Sequence, residues 1–195
     1  FKQKTAYEML RSLVGSEMCI RDRDQDFTAQ LTSVLATRPE VLFVPGYYPE
    51  ISLLVRQARQ MGYKGYVLCG DGAEAPELIK IGGKAVEGLY YVTHFDPKMA
   101  ASEMTGKFVD AYTKKYHKGT DALGALGFDA YLVLRDAIQR AGSDDPQKIR
   151  DALESTKGFK GATGIITIHH GDPTKSAVIK KVENGKFVYA GFVNP

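Results

Sequence analysis

Three short apolar runs, separated by segments of helical period, constrain this chain more than any other feature. The runs are Val41-Leu42-Phe43-Val44, Tyr66-Val67-Leu68-Cys69 and Gly88-Leu89-Tyr90-Tyr91-Val92-Thr93. The first stops at Pro45-Gly46 and the second at Gly70-Asp71-Gly72, residues that turn the chain. A run that is apolar throughout marks a strand buried on both faces. Between the first two, Pro49 sits where the first turn of a helix tolerates it. Ile51, Leu53, Leu54, Val55 and Ala58 then carry an apolar stripe towards Gly62. Pro76 opens a shorter helix ending near Gly82-Gly83. Strand–helix–strand–helix–strand with short connections predicts an α/β fold, a parallel sheet flanked by helices. Ligands of such sheets lie beyond the carboxyl ends of the strands. Gly46-Tyr47-Tyr48 and Gly70-Asp71-Gly72 fall at two such ends.

The flanks are read the same way. Asp26 or Thr28 is expected to cap a helix carrying Leu31, Val34 and Leu35, which Arg38-Pro39 stops. A helix over 100–117 puts Phe108, Val109 and Tyr112 on one side, with Lys107, Lys114, Lys115 and Lys118 as a solvated face. A longer one from Ala122 to Ala141 has Leu123, Leu126, Tyr131, Leu132, Leu134 and Ile138 over a wide arc, which predicts deep burial. Ser143-Asp144-Asp145-Pro146 caps a third helix running through Leu153. The end is β: Gly164–His169, Ser176–Glu183 and Lys186–Phe192, with Asn184-Gly185 as a hairpin turn.

Residues 1–23 are read differently. Phe1–Glu8 back-translates, with permissible codons, to a flow-cell primer of short-read sequencing libraries, and Leu13–Asp22 to the following transposon adapter. Met9–Ser12 would be the sample index. The stretch is therefore set aside as translated adapter. It holds 5 of the 26 Lys+Arg and 3 of the 23 Asp+Glu, so the formal charge of +3 falls to +1 without it. That is too small and dispersed for a nucleic-acid footprint. Cys19 goes with it, leaving Cys69 alone and no disulfide framework. No apolar run approaches the ~20 residues of a spanning helix.

Few residues carry chemistry. Asp71 lies between two glycines after a strand, where a carboxylate could receive a ligand ammonium or simply close its own turn. Tyr47 and Tyr48 could give a ligand an aromatic wall and a hydroxyl, or could pack on the adjacent helix. His169 and His170, as adjacent strand residues, should point to opposite faces and not converge on a metal. Cys69 is expected to be a small core residue. Gly70-Asp71-Gly72 lacks the third glycine of a dinucleotide fingerprint, and there is no Walker loop or G-x-S-x-G elbow. No cofactor, metal or catalytic constellation is expected.

Several segments together resemble one family: DFTAQL, PGYYPEISLLVRQARQMG, CGDGAEAPELIKIGGKAVEGLYYVTHF, ALGALGFDAYLVLRDAIQRAGS and FKGATGIITIHHGDPTKSAVIKKVENGKFV. They are similar to the C-terminal half of type I periplasmic-type substrate-binding proteins of ABC transporters, the branched-chain amino acid (Leu/Ile/Val-binding) group, over essentially all of 24–195. The resemblance implies two α/β lobes closing on a ligand, with the opening half of the first lobe and its signal peptide missing. It assigns 24–118 to the second lobe, 119–158 to a segment returning to the first, and 159–195 mostly to the second. It implies that Tyr47 lines the ligand and Asp71 binds its α-ammonium, with Gly70 and Tyr48 beside them and Leu123 and Phe128 near the side-chain pocket. It also implies a non-enzymatic protein with a small amino acid as ligand, a membrane permease as partner and a monomeric full-length form. The location is periplasmic, or extracellular and membrane-anchored. Two other readings stand beside it: a ligand-sensing module of a receptor or regulator with this fold, and a truncated product without function.

Overall fold

The computed structural model describes residues 25–99 and 102–194, so the 1–23 stretch read as adapter lies outside the described residues. In chain order the elements are α1 (Thr28–Ala36), β1 (Val41–Val44), α2 (Tyr48–Gln60), β2 (Tyr66–Cys69), α3 (Pro76–Gly82), β3 (Tyr90–Thr93), α4 (Glu103–Tyr116), α5 (Ala122–Ala141), α6 (Pro146–Glu154), β4 (Phe159–Gly161), β5 (Gly164–His169), β6 (Asp172–Thr174), β7 (Ala177–Glu183) and β8 (Lys186–Val193). Short 3-10 turns occupy Asp71–Ala73 and Gly83–Val86. Two compact units emerge. One takes the chain to Tyr91 and then Lys181–Val188; the other takes Val92–Lys180 and the chain from Tyr189. No helix among the described residues is long and apolar enough to cross a membrane.

The first unit is the expected α/β arrangement. β1 pairs with β2 and β2 with β3, both in parallel, with Val44 opposite Cys69 and Cys69 opposite Tyr91. The sheet order is β1-β2-β3-β7-β8, which leaves β1 at the edge. Leu42, Val44, Val67, Cys69, Tyr91 and Val182 point to one side and share a core with Ile51, Leu54, Val55 and Ala58 of α2 and Leu78 of α3. Arg59, in the last turn of α2, donates to the Tyr63 and Gly65 carbonyls at 2.9 Å each, satisfying the loop that feeds β2. Asn184 and Gly185 both take positive φ (53° and 67°), the backbone of the expected tight hairpin turn. The Glu87 carboxylate accepts from both of their N–H groups.

Two expectations fail here. The apolar strands are not buried on both faces: burial alternates along β1 and β2, leaving Phe43 45% and Tyr66 66% exposed. The helices of this unit share their core with one side of the sheet only, so the strand residues of opposite parity stay open. The cap of α1 also differs. Phe27 holds the cap position with no side-chain bond, while Asp26 accepts from the Thr28 N–H (3.0 Å) and hydroxyl (2.6 Å).

The second unit centres on Phe95, Phe108, Ala122, Ala125 and Ala162. Phe108 stacks against Phe95 at 6.0 Å and Phe128 at 4.8 Å between ring centres. α4 starts with a capping box, Ser102 with Thr105. α6 starts, as expected, at Asp145, whose carboxylate accepts from Gln147 and Lys148 N–H. Arg140 ties α5 to the end of α6 through the Ala152 carbonyl (2.6 Å) and the Ser155 and Thr156 hydroxyls (both 2.8 Å). β4, β5 and β6 form a small antiparallel sheet.

α5 spans the predicted residues but is not deeply buried. Ala122, Ala125, Asp129, Leu132, Val133 and Ala137 face inward, whereas Leu123, Tyr131, Leu134 and Ile138 are exposed. Within its unit the helix is packed on one side only. The His169–His170 expectation also needs correction. His170 follows β5 at φ 52°, which breaks the alternation of a strand, and the two rings lie 4.0 Å apart. Both histidines are exposed. Among the described residues no three His, Cys, Asp or Glu side chains group as metal ligands.

Candidate functional site

The site builds from the carboxyl ends of β1 and β2. Their register sets Val44 beside Cys69, so both strands release the chain at one level. After β1, Gly46 takes φ 144°, a value that favours glycine, and Tyr47 follows in extended conformation as the cap of α2. After β2, Gly70 caps the 3-10 turn that Asp71 begins. The Ala73 N–H bonds the Gly70 carbonyl at 3.2 Å and the Glu74 N–H bonds the Asp71 carbonyl at 2.9 Å, holding the turn tight.

The two loops touch. A Cβ on Gly72 would collide with the Gly46 carbonyl oxygen and lie 3.2 Å from Cδ1 of Tyr47. Only glycine allows this approach, and it sets the Tyr47 ring against the turn that carries Asp71. Tyr47 is 69% exposed and Asp71 is exposed as well. Nothing lies within 4 Å of a Cβ placed on Gly70, so the backbone there borders open space. An accessible carboxylate beside an aromatic face suits a small cationic group with an adjoining apolar body.

The other candidates are placed differently. Tyr48 is the first residue of α2 and packs against the first unit's core. Leu123, 77% exposed, and Phe128 belong to the second unit, where Phe128 packs with the Phe108 cluster. Cys69 ends β2 directly before Gly70 but is wholly buried, and burial pushes its thiol up to about 12, so it offers no nucleophile at neutral pH. Sequence reasoning named Gly46 and Gly72 as strand-end residues but missed their contact. The P-G and G-x-G signals at successive strand ends were its only trace.

The comparisons agree with this geometry. Residues 17–186 match the family model described as periplasmic binding protein; the match begins inside the stretch set aside as adapter. The Leu/Ile/Val-binding protein homolog 2 of Brucella abortus is 30% identical over 173 residues, 85% of this chain and 45% of the relative. Among solved structures, the leucine binding protein LivK of Thermotoga maritima is 52% identical, with a TM-score of 0.84 over 90% of this chain and 51% of that one. The branched-chain amino acid transporter substrate binding protein LivJ of Streptococcus pneumoniae, in complex with isoleucine, is 30% identical, with a TM-score of 0.75 over the same shares. The chain thus spans about half the length of the relatives it matches. On the extent of the family match and the agreement in fold, the chain belongs to the periplasmic binding proteins, in their branched-chain amino acid group.

Proposed function

We propose that this chain is part of the extracytoplasmic solute-binding component of an ABC importer, and that the complete protein closes two lobes on a branched-chain amino acid. Asp71 receives the α-ammonium in a charge-assisted hydrogen bond. Tyr47 forms an aromatic wall beside it, and Gly70 lets the ligand approach the backbone. Tyr48 supports this wall from the start of α2, and Leu123 and Phe128 contribute to the side-chain pocket. Closure is a hinge motion that removes water from the ammonium–carboxylate pair, and the closed, monomeric form docks on a membrane permease. The protein works outside the cytoplasm, in the periplasm or anchored to the outer surface of the membrane.

The observation that carries this reading is the contact of the Gly46-Tyr47 and Gly70–Gly72 loops at adjacent parallel strand ends, in a chain whose relatives include an isoleucine complex. The test is calorimetry on this chain fused behind the first half of the Thermotoga protein. Leucine, isoleucine and valine should bind, and Asp71→Ala should weaken them about 10- to 150-fold, the loss expected for one hydrogen bond to a charged group. Unchanged affinity in Asp71→Ala would remove the proposed contact.

A further inference from the structure

Each compact unit leaves one apolar face open. In the first, Val41 lies beside Tyr66, and Phe43, Leu68 and Tyr90 form a row across β1, β2 and β3. Val41, Phe43 and Tyr66 are exposed, and Leu68 and Tyr90 half-buried. The opposite face of the same strands holds Leu42, Val44, Val67, Cys69 and Tyr91 in the core. Parallel sheets occur almost only with both faces covered, and these strands carry apolar side chains for both. The edge strand β1 reads VLFV, with no charge or proline to blunt it against pairing. In the second unit, Leu123, Tyr131, Leu134 and Ile138 line one side of α5, away from its buried side. Open patches of this kind mark a surface with a partner.

We propose that one occupant covers both faces: the half of the relatives' length that this chain does not span, laying helices over the β1–β2–β3 face and apolar side chains against α5. Two observations select it over a second copy of the chain. The open faces are unlike each other, a sheet and a helix, whereas a two-fold dimer buries one self-complementary patch. The Thermotoga structure, similar over 90% of this chain, is about twice as long. The inference does not rest on amino-acid binding, and its test contains no amino acid.

The experiment places single cysteines at Tyr66→Cys and Tyr131→Cys in the 195-residue chain on a Cys19→Ser background, where Cys69 is buried. A Lys118→Cys variant serves as an exposed control. Maleimide labelling is compared between this chain and its fusion behind the first half of the Thermotoga protein, with that half also added in trans in case the fusion misfolds. The expected result is fast labelling at all three positions in the chain alone. In the fusion or complex, labelling should slow at least tenfold at 66 and 131 and stay unchanged at 118. Unchanged labelling at either 66 or 131 would overturn the proposal. So would slow labelling in the chain alone that speeds up on dilution, which would assign the faces to a second copy.

Discussion

Removing the Asp129 carboxylate should unfasten the link between α5 and the small antiparallel sheet. Asp129 sits mid-helix at 2% exposure and accepts from the Ala162 N–H at 2.5 Å, the Thr163 N–H at 2.8 Å and the Thr163 hydroxyl at 2.7 Å. Gly161 makes room for it, since a Cβ there would lie 2.6 Å from Oδ2. In Asp129→Ala the hydroxyl can rotate to a new acceptor, but the two backbone N–H groups cannot. Each buried orphan donor costs about 1–3 kcal/mol, so the pair costs about 2–6 kcal/mol. Relief of the buried charge's own desolvation offsets part of this, which sets the expected loss at about 2–4 kcal/mol. Asp129→Asn keeps one acceptor oxygen and should lose about half as much. Urea unfolding followed by circular dichroism measures the change, and amide exchange locates it. The Ala162 and Thr163 amides should lose protection ahead of the surrounding β4 and β5. A variant within about 0.5 kcal/mol of the parent, with both amides still protected, would refute the argument.

Other outcomes follow from single groups. Gly72→Ala should destabilise the chain by about 1–3 kcal/mol in thermal unfolding, because the added methyl meets a backbone carbonyl that cannot step aside. Burial lowers Lys175 to about 8, partly countered by Asp129, while its Nζ donates to the His94 carbonyl at 3.2 Å. The unfolded chain therefore binds the extra proton between pH 8 and the ordinary lysine value, and this group's contribution makes stability rise with pH across that window. Lys175→Met should flatten that rise in a direct comparison with the parent. The comparison is needed because Cys69, raised to about 12, has the opposite sign at higher pH. On a Cys19→Ser background, Cys69 should react with a thiol reagent at pH 8 only as fast as the chain opens, tested by matching labelling to unfolding rates.

What the sequence showed and what it hid divide along physical lines. The starts of α2 and α6 were legible because Pro49 and the Asp145-Pro146 cap act within one turn. The Asn184-Gly185 turn was legible because it needs two positive φ angles. The span of α5 followed from Asp121 before it and Gly142 after it, at φ 59°. Its exposure did not follow, because apolar periodicity reports which surface a helix offers and not whether a partner meets it. The same holds for Val41 and Phe43. β4 and β6 were missed because three residues carry no period, and Pro173 argues against a strand except at an edge, where β6 sits. Asp129 was invisible as a buried anchor, since its partners lie more than thirty residues along the chain. Tyr47 and Asp71 could be singled out at strand ends, but the Gly46–Gly72 contact depends on the register of two strands.

The central claim is that Asp71 recognises an α-ammonium. The direct measurement is a calorimetric cycle on the fusion with the Thermotoga first half, comparing leucine with its 2-hydroxy analogue in the parent and in Asp71→Ala. The account predicts that the parent prefers leucine by about 10-fold or more and that Asp71→Ala loses most of that preference. Equal discrimination in both proteins would contradict it.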